Sequence, residues 1–482
     1  MTPTSFLRAL AFIALLTSSL AAQEIPITTS SDEARALYIK GRDLAERFRT
    51  NETLPLYQKA VALDSNFAMA YLALAFRQTT NKDVRLYINK AAAASEKASE
   101  GERIMIQAYE ARMENDRAKE KTLWEKLLKL YPDDKRLRST VGDVFFFTYN
   151  EPELGIAEYK KAIEIDASYH PAYNSIGYVY GILGKYDEAE KALKKYTELL
   201  PDEANPHDTY AEVLMKQGKF DESIAEYKKS LSIDPKFYFS HIGLGMDYVF
   251  TGRADDGRKQ FQTLYDVAFD DNDRSQAITA STKSYLFEGN YHKAIIEQKT
   301  NYTLSEKAND VAGMAYGLIG IAELYVEAGK PKEAMHELQR ALRLINGSKF
   351  PSESKAQGLQ SIWYQEAFVA YASNDVATAK AKLKKYEHAA DKAGNTVQME
   401  RAHQLAGRIA LKEKRYDDAL SELQQAGQRD AQTLFEFANA YAAKGETVKA
   451  KEFFTKAVNF NDMSWGYAYV RVKATEELAK LK

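Results

Sequence analysis

The sequence predicts an all-α solenoid built from about twelve helix–turn–helix units, and three observations lead to this prediction. A short block that starts with a turn residue and ends with a small one recurs along the 482-residue chain, as in GKYDEA at 184–189 and GKFDES at 218–223. Small residues also recur upstream of these blocks, at intervals of about 34 residues. Within each interval the apolar residues follow the helical period twice, which indicates two amphipathic helices per unit.

One small residue marks the first helix of each unit. These residues are Gly41, Ala75, Ala108, Gly142, Gly177, Ala211, Gly245, Thr282, Ala322, Ala367, Gly407 and Ala438. The first seven are spaced 33 to 35 residues apart, and the later intervals range from 31 to 45 residues. Because a small side chain lets two antiparallel helices approach closely, we expect a close helix–helix contact at each of these positions.

The unit at 170–203 shows the pattern clearly. Gly177 and Tyr180 lie on one face of its first helix, and Leu193 and Tyr196 lie on one face of its second helix. This arrangement resembles the tetratricopeptide repeat, a helix–turn–helix of about 34 residues. The resemblance implies a right-handed superhelical solenoid whose first helices line the concave side.

The two ends of the chain differ from the repeats. Residues 1–22 have the features of a secretory signal peptide, since Arg8 precedes a short apolar run and small residues allow cleavage after Ala21 or Ala22. We therefore expect an exported protein, either periplasmic or secreted. The remaining predicted segments are a short extended N-terminal segment at 23–33, regular repeats 1–7 at 34–271, less regular repeats 8–12 at 272–464 and a polar capping helix at 465–482.

Composition narrows the possible functions. The chain carries 66 Lys and Arg against 68 Asp and Glu and has no cysteine. A near-neutral chain without a basic tail is not expected to bind nucleic acid, and it cannot form disulfides or thiolate metal sites. After signal cleavage no stable membrane insertion is expected, because no other apolar run approaches the length of a bilayer span.

Residues that would carry catalysis are not recognisable in the sequence. The string nearest to a zinc-peptidase helix, at 336–340, has Arg340 where the second histidine is required. Phosphate-binding loops and nucleophile elbows are also missing from the sequence. We expect a protein that is not an enzyme and that uses no cofactor, metal or catalytic residue.

The resemblance also implies which side chains face the concave groove. In repeats 4–7 and 10 these positions carry mostly aromatic and apolar residues with interspersed asparagines. The expected peptide-binding residues are Phe146, Phe147, Asn174, Tyr178, Asn205, Phe239, Met246, Phe250, Tyr364, Phe368 and Tyr371. The alternative is that these rings pack on one another inside a tight superhelix.

These observations predict a non-enzymatic interaction scaffold of the bacterial cell envelope that binds a partner polypeptide in its groove. The partner's identity and the oligomeric state are open. The alternative function is a saccharide- or small-ligand-binding envelope protein, because aromatic rings also stack on sugars.

Overall fold

The computed structural model describes residues 24–78, 81–114 and 116–481, so the predicted signal peptide lies outside the described residues. Within these ranges the chain forms 25 α-helices and no strand. The helices pair into twelve repeats, in which odd-numbered helices come first, and a final helix follows repeat 12. The predicted all-α solenoid of helix–turn–helix units is confirmed.

The chain divides into two compact units, one ending at Pro206 and one beginning at His207. The N-terminal unit contains α1 (Asp32–Glu46), α2 (Thr53–Leu63), α3 (Ala68–Ala75), α4 (Asn81–Ala94), α5 (Glu100–Met113), α6 (Arg117–Leu130), α7 (Lys135–Asp143), α8 (Pro152–Ile165), α9 (His170–Ile182) and α10 (Tyr186–Leu199). Short 3₁₀ turns at Thr50–Glu52 and Ser95–Lys97 follow α1 and α4, and a π-helical turn at Val144–Thr148 continues α7.

The unit boundary falls within α11 (Ala204–Lys216). The C-terminal unit continues with α12 (Phe220–Ile233), α13 (Tyr238–Phe250), α14 (Ala254–Val267), α15 (Asp271–Leu286), α16 (Tyr291–Lys307), α17 (Val311–Glu327), α18 (Pro331–Gly347), α19 (Ser352–Ala372), α20 (Val376–Lys392), α21 (Thr396–Lys412), α22 (Tyr416–Gln425), α23 (Ala431–Ala443), α24 (Thr447–Val458) and α25 (Trp465–Lys480). In the described part of the chain, none of these helices combines the length and apolarity needed to cross a bilayer.

The recurring sequence block forms the turn between the two helices of a repeat. Gly184 and Gly218 adopt φ of 71° and 76°, a left-handed conformation that glycine adopts without steric cost. The next residues start the second helix, so the small residue at the end of each block lies in its first turn. The turn signal in the sequence therefore has a direct backbone cause.

The small residues of the first helices are sites of close helix packing, as expected. A β-carbon added at Gly142 would lie 2.5 Å from Cε1 of Tyr159, which belongs to the second helix of the same repeat. At Gly177 the corresponding neighbour is Leu193, at 2.6 Å. Each glycine thus leaves the space that a large buried side chain of the partner helix fills.

The final helix α25 packs more extensively than a polar cap would. It covers α23 and α24 of repeat 12 and also reaches α15 of repeat 8. Its buried face consists of Tyr467, Ala468, Tyr469, Val470 and Ala474. The expected charged residues are present, but this apolar face makes α25 part of the core of the C-terminal unit.

Candidate functional site

The first helices of repeats 1–5 share one face in the N-terminal unit, and this face encloses a cavity of about 390 Å³. Such a volume falls in the range of about 300–1,000 Å³ that is typical of ligand sites. The lining includes Tyr38, Arg42 and Glu46 of α1, Met69 of α3, Glu102 and Met105 of α5, Arg136 and Asp143 of α7, and Asn174 and Ser175 of α9. The odd-numbered helices α1 to α9 therefore contribute to one site, because the first helix of each repeat turns the same face toward the cavity.

Residues 24–27 line one wall of the cavity. They belong to the extended segment 24–31, which lies along this first-helix face and does not form a helix of its own. Three of its backbone N–H groups donate to three carboxylates, at 2.7–2.8 Å. The pairs are Ile25 to Asp134, Thr28 to Glu102 and Ser30 to Asp64. The carboxylates come from the starts of repeats 4, 3 and 2, so the segment runs antiparallel to the order of the repeats.

Asp64 has the most complete set of contacts with this segment. Its Oδ2 accepts from the Thr29 hydroxyl at 2.6 Å and from the Ser30 hydroxyl at 3.0 Å, besides the Ser30 amide. Burial alone would raise the pKa of Asp64, but the hydrogen bonds from Thr29 and Ser30 outweigh it and lower the pKa to about 2. The carboxylate is therefore charged when it holds the segment.

A second anchor of the segment is ionic. Arg136 of α7 lies 3.3 Å from the Glu24 carboxylate and 2.9 Å from that of Glu46. The guanidinium thereby joins the start of the described chain to α1 and α7. Its charge is matched by two carboxylates within the cavity wall.

Asp143 of α7 and Asn174 of α9 also line the cavity. Oδ1 of Asp143 accepts from the Tyr159 hydroxyl at 2.7 Å and from the Ser175 hydroxyl at 3.3 Å. Burial raises the pKa of Asp143 to about 6, in spite of these two hydrogen bonds. Asn174 is 8% exposed, and its Oδ1 is buried without a hydrogen-bond partner.

Two aromatic rings lie one helical turn beyond these polar groups. Phe147 follows Asp143 by four residues through the π-helical turn, and Tyr178 follows Asn174 by four residues on α9. Phe147 is 66% exposed, and its ring centroid is 6.4 Å from that of half-buried Tyr178. Phe146, in contrast, is buried and meets Phe147 edge to face at 4.7 Å.

The other predicted groove residues lie elsewhere and have different surroundings. Asn205 is buried, and its side-chain oxygen accepts from the Tyr196 hydroxyl at 2.9 Å. In the C-terminal unit Phe239 is 41% exposed and packs against the ring of Tyr238, whereas Met246 is fully buried. Phe239 is thus the accessible member of this group.

Phe250 is part of the core of the C-terminal unit. Its ring lies 5.0 Å from Phe287 and 5.7 Å from Tyr467 of α25, in edge-to-face contacts. The guanidinium of Arg471 covers the ring at 5.0 Å and donates to the Phe250 carbonyl oxygen at 3.1 Å. The structure therefore places α25 over the surface that the sequence assigned to a partner near this residue.

The aromatic residues of repeat 10 are covered by basic side chains of α21. Tyr364 and Phe368 are buried, and Tyr371 is half-buried. The covering contacts are Arg401 on Tyr364 at 4.6 Å, Arg408 on Phe368 at 5.3 Å and Lys412 on Tyr371 at 4.3 Å. These rings belong to an internal cation–π stack between repeats 10 and 11.

Sequence reasoning missed the carboxylates that bind segment 24–31. Asp134 also accepts hydrogen bonds from the amides of Arg136 and Leu137, so it caps the N-terminus of α7. An aspartate directly before a first helix was therefore a sequence signal that could have drawn attention to this carboxylate. Within the described ranges, no group of three or more His or carboxylate side chains is arranged to hold a metal ion.

Comparison with known proteins identifies the type of repeat. Residues 170–203 and 207–237, which form repeats 5 and 6, match the family model described as the tetratricopeptide repeat. The chain contains tetratricopeptide repeats. A search of curated proteins found no significant match to this tetratricopeptide-repeat chain.

Solved structures similar to this tetratricopeptide-repeat protein include three with modest scores. The crystal structure of MamA is 23% identical, covers 32% of this chain and 91% of its own, and has a TM-score of 0.29. YrrB, titled a TPR protein with an unusual peptide-binding site, is 20% identical over 39% of this chain and 97% of its own, with a TM-score of 0.27. A tetratricopeptide-repeat protein from Parabacteroides merdae is 15% identical over 53% of this chain and 92% of its own, with a TM-score of 0.35.

Proposed function

We propose that this protein is an interaction scaffold of the bacterial cell envelope that binds an extended segment of a partner polypeptide on the first-helix face of repeats 1–5. Tetratricopeptide repeats support a role as a protein–protein interaction scaffold, and the fold is typically non-enzymatic. The observation that carries the proposal is the position of segment 24–31, an extended peptide already held on this face through its backbone.

The backbone part of this binding does not depend on side-chain identity. A carboxylate from each of three successive repeats accepts one backbone N–H, and charge-assisted hydrogen bonds of this kind are stronger than neutral ones. Solenoid repeats present such groups at regular intervals, which suits an extended chain. A partner segment that follows the same face beyond residue 24 would meet the cavity and the exposed ring of Phe147.

Phe147 is the proposed anchor for that partner. A large aromatic side chain with two-thirds of its surface exposed, four residues after the cavity-lining Asp143, has the character of an interface hot spot. Tyr178 extends the aromatic surface along α9. The envelope location rests on the signal-type leader at 1–22 and is proposed together with the binding role.

Peptide selection on the mature chain tests the proposal. Residues 23–482 would be immobilised, peptides would be selected from a random displayed library, and the affinity of the selected peptides would be measured by fluorescence anisotropy. Phe147→Ala is expected to weaken binding by about thirtyfold or more, because truncating an aromatic hot spot costs about 2 kcal/mol or more.

Phe269→Ala is the matched control. Phe269 has the same exposed fraction as Phe147, 66%, but lies before α15 in the C-terminal unit. The control should bind the selected peptides like the wild type. Equal loss in both variants, or no enrichment of any peptide, would contradict the proposed site.

A further inference from the structure

The walls of the cavity carry an excess of negative charge. Its charged lining consists of Glu24, Glu46, Glu102, Asp134 and Asp143 against Arg42 and Arg136. Arg136 is already paired with two of these carboxylates. The five acidic groups exceed the two basic ones by three, so a cation entering the cavity moves into a favourable field.

A buried acceptor in the same cavity lacks a donor. Asn174 lines the cavity, and its Oδ1 is without a hydrogen-bond partner. A buried acceptor left without a donor is unfavourable, so a ligand that brings an N–H group gains from this position. Both hydrogen bonds that Asp143 receives go to its Oδ1, which leaves Oδ2 as the oxygen for a further donor.

The aromatic rings of Phe147 and Tyr178 also favour a cationic ligand with an N–H donor. Phe147 and Tyr178 follow the cavity-lining residues Asp143 and Asn174 by four positions, and their ring centroids are 6.4 Å apart. Neither ring belongs to the cavity lining itself, so the pair lies just outside it. Ring faces attract ammonium and guanidinium groups, and the aliphatic stem of a long basic side chain packs on apolar surface.

We infer that this cavity takes a lysine or arginine side chain of the bound segment, with its charge beside Asp143 and an N–H donated to Asn174. Phe147 and Tyr178, just outside the cavity lining, contact the part of the segment that leads into it. The inference rests on the proposed function and names the class of partner: an extended segment with a basic residue. A neutral hydroxyl side chain would satisfy Asn174 but would leave the excess negative charge unmatched.

The test uses the full mature chain and the peptides selected on it. We expect lysine or arginine to be enriched at one position of these peptides. Replacing that residue by glutamine, and separately changing Asp143→Asn, should each weaken binding by about tenfold, which corresponds to about 1.4 kcal/mol. The two changes together should cost little more than either alone, because each removes the same interaction.

Asp187→Asn is the control for the charge change, since Asp187 is exposed on α10 away from the cavity, and it should leave the affinity unchanged. An asparagine at 143 still offers an oxygen to Tyr159, and the melting temperature checks that the variant folds. Asn174→Asp is a second variant, which adds a carboxylate and is expected to strengthen binding of the basic peptide only.

The outcomes separate the inference from the proposed function. Peptides that depend on Phe147 but show no basic residue would overturn the inference and leave the binding site standing. Additive losses from Asp143→Asn and from the glutamine peptide would also overturn it, because they would show that the two groups do not interact. Failure to select any peptide would overturn the proposed function itself.

Discussion

Replacing Phe250 by alanine tests whether the C-terminal helix is part of the core. Phe250 is 7% exposed and contacts Phe287, Tyr467 and the Arg471 guanidinium. Truncation of a buried phenylalanine costs about 3–5 kcal/mol of unfolding free energy. For a unit of this size each kcal/mol shifts the melting temperature by about 2–4 °C, so we expect a decrease of about 6–20 °C.

Phe239→Ala provides the comparison within the same helix. Its ring is 41% exposed, so truncation removes only part of the transfer energy of about 1.5–3 kcal/mol for a fully buried side chain. Calorimetry of residues 23–482 should show the larger decrease for Phe250→Ala, and hydrogen exchange should show faster exchange of α25 amides in that variant alone. Unchanged melting and unchanged exchange in Phe250→Ala would refute the assignment of this ring to the core.

Three further predictions concern stability and the N-terminal segment. Burial raises the pKa of fully buried Asp247 to about 8, so its proton stays bound in the native state while the unfolded chain releases it near pH 4. Stability should therefore fall as pH rises from about 4 to about 8. Urea unfolding should show Asp247→Asn more stable than the wild type by a few kcal/mol at pH 8 and by a much smaller margin at pH 5. Gly142→Ala should lower the unfolding free energy of the N-terminal unit by about 1–3 kcal/mol, because its new methyl group meets the ring of Tyr159. Gly347→Ala is the control: its methyl group would point into open space, so the stability of the C-terminal unit should stay nearly unchanged in the same denaturant assay. Asp64→Asn should raise the hydrogen-exchange rates of the amides at 28–31 by about tenfold or more, because it weakens the charge-assisted hydrogen bonds that Asp64 accepts from the segment. Unchanged exchange rates would show that Asp64 does not hold the segment.

The repeat architecture could be predicted because its causes are local. Gly142 and Gly177 mark close contacts with residues sixteen or seventeen positions later, and Gly184 marks a turn within one repeat. Short-range constraints of this kind repeat with the sequence and can be read from it. The helix count and the pairing within repeats follow from the same period.

The surroundings of the groove residues could not be predicted in the same way. Phe239 and Phe250 occupy the same first helix, yet Phe250 is buried and Phe239 is accessible. Part of the burial of Phe250 comes from α25, more than two hundred residues later in the chain. Segment 24–31 likewise finds its carboxylates in repeats 2–4, far along the chain. Repeat periodicity carries no information about such contacts, because they join parts of the chain that do not follow the repeat.

The most direct test of the account is hydrogen exchange of residues 23–482 with and without a saturating selected peptide. The account predicts slower exchange in α7 and α9, around Asp143 and Asn174, with no change in α13 or α19. Protection confined to the first helices of repeats 7–10, with none in repeats 4 and 5, would contradict the proposed binding face.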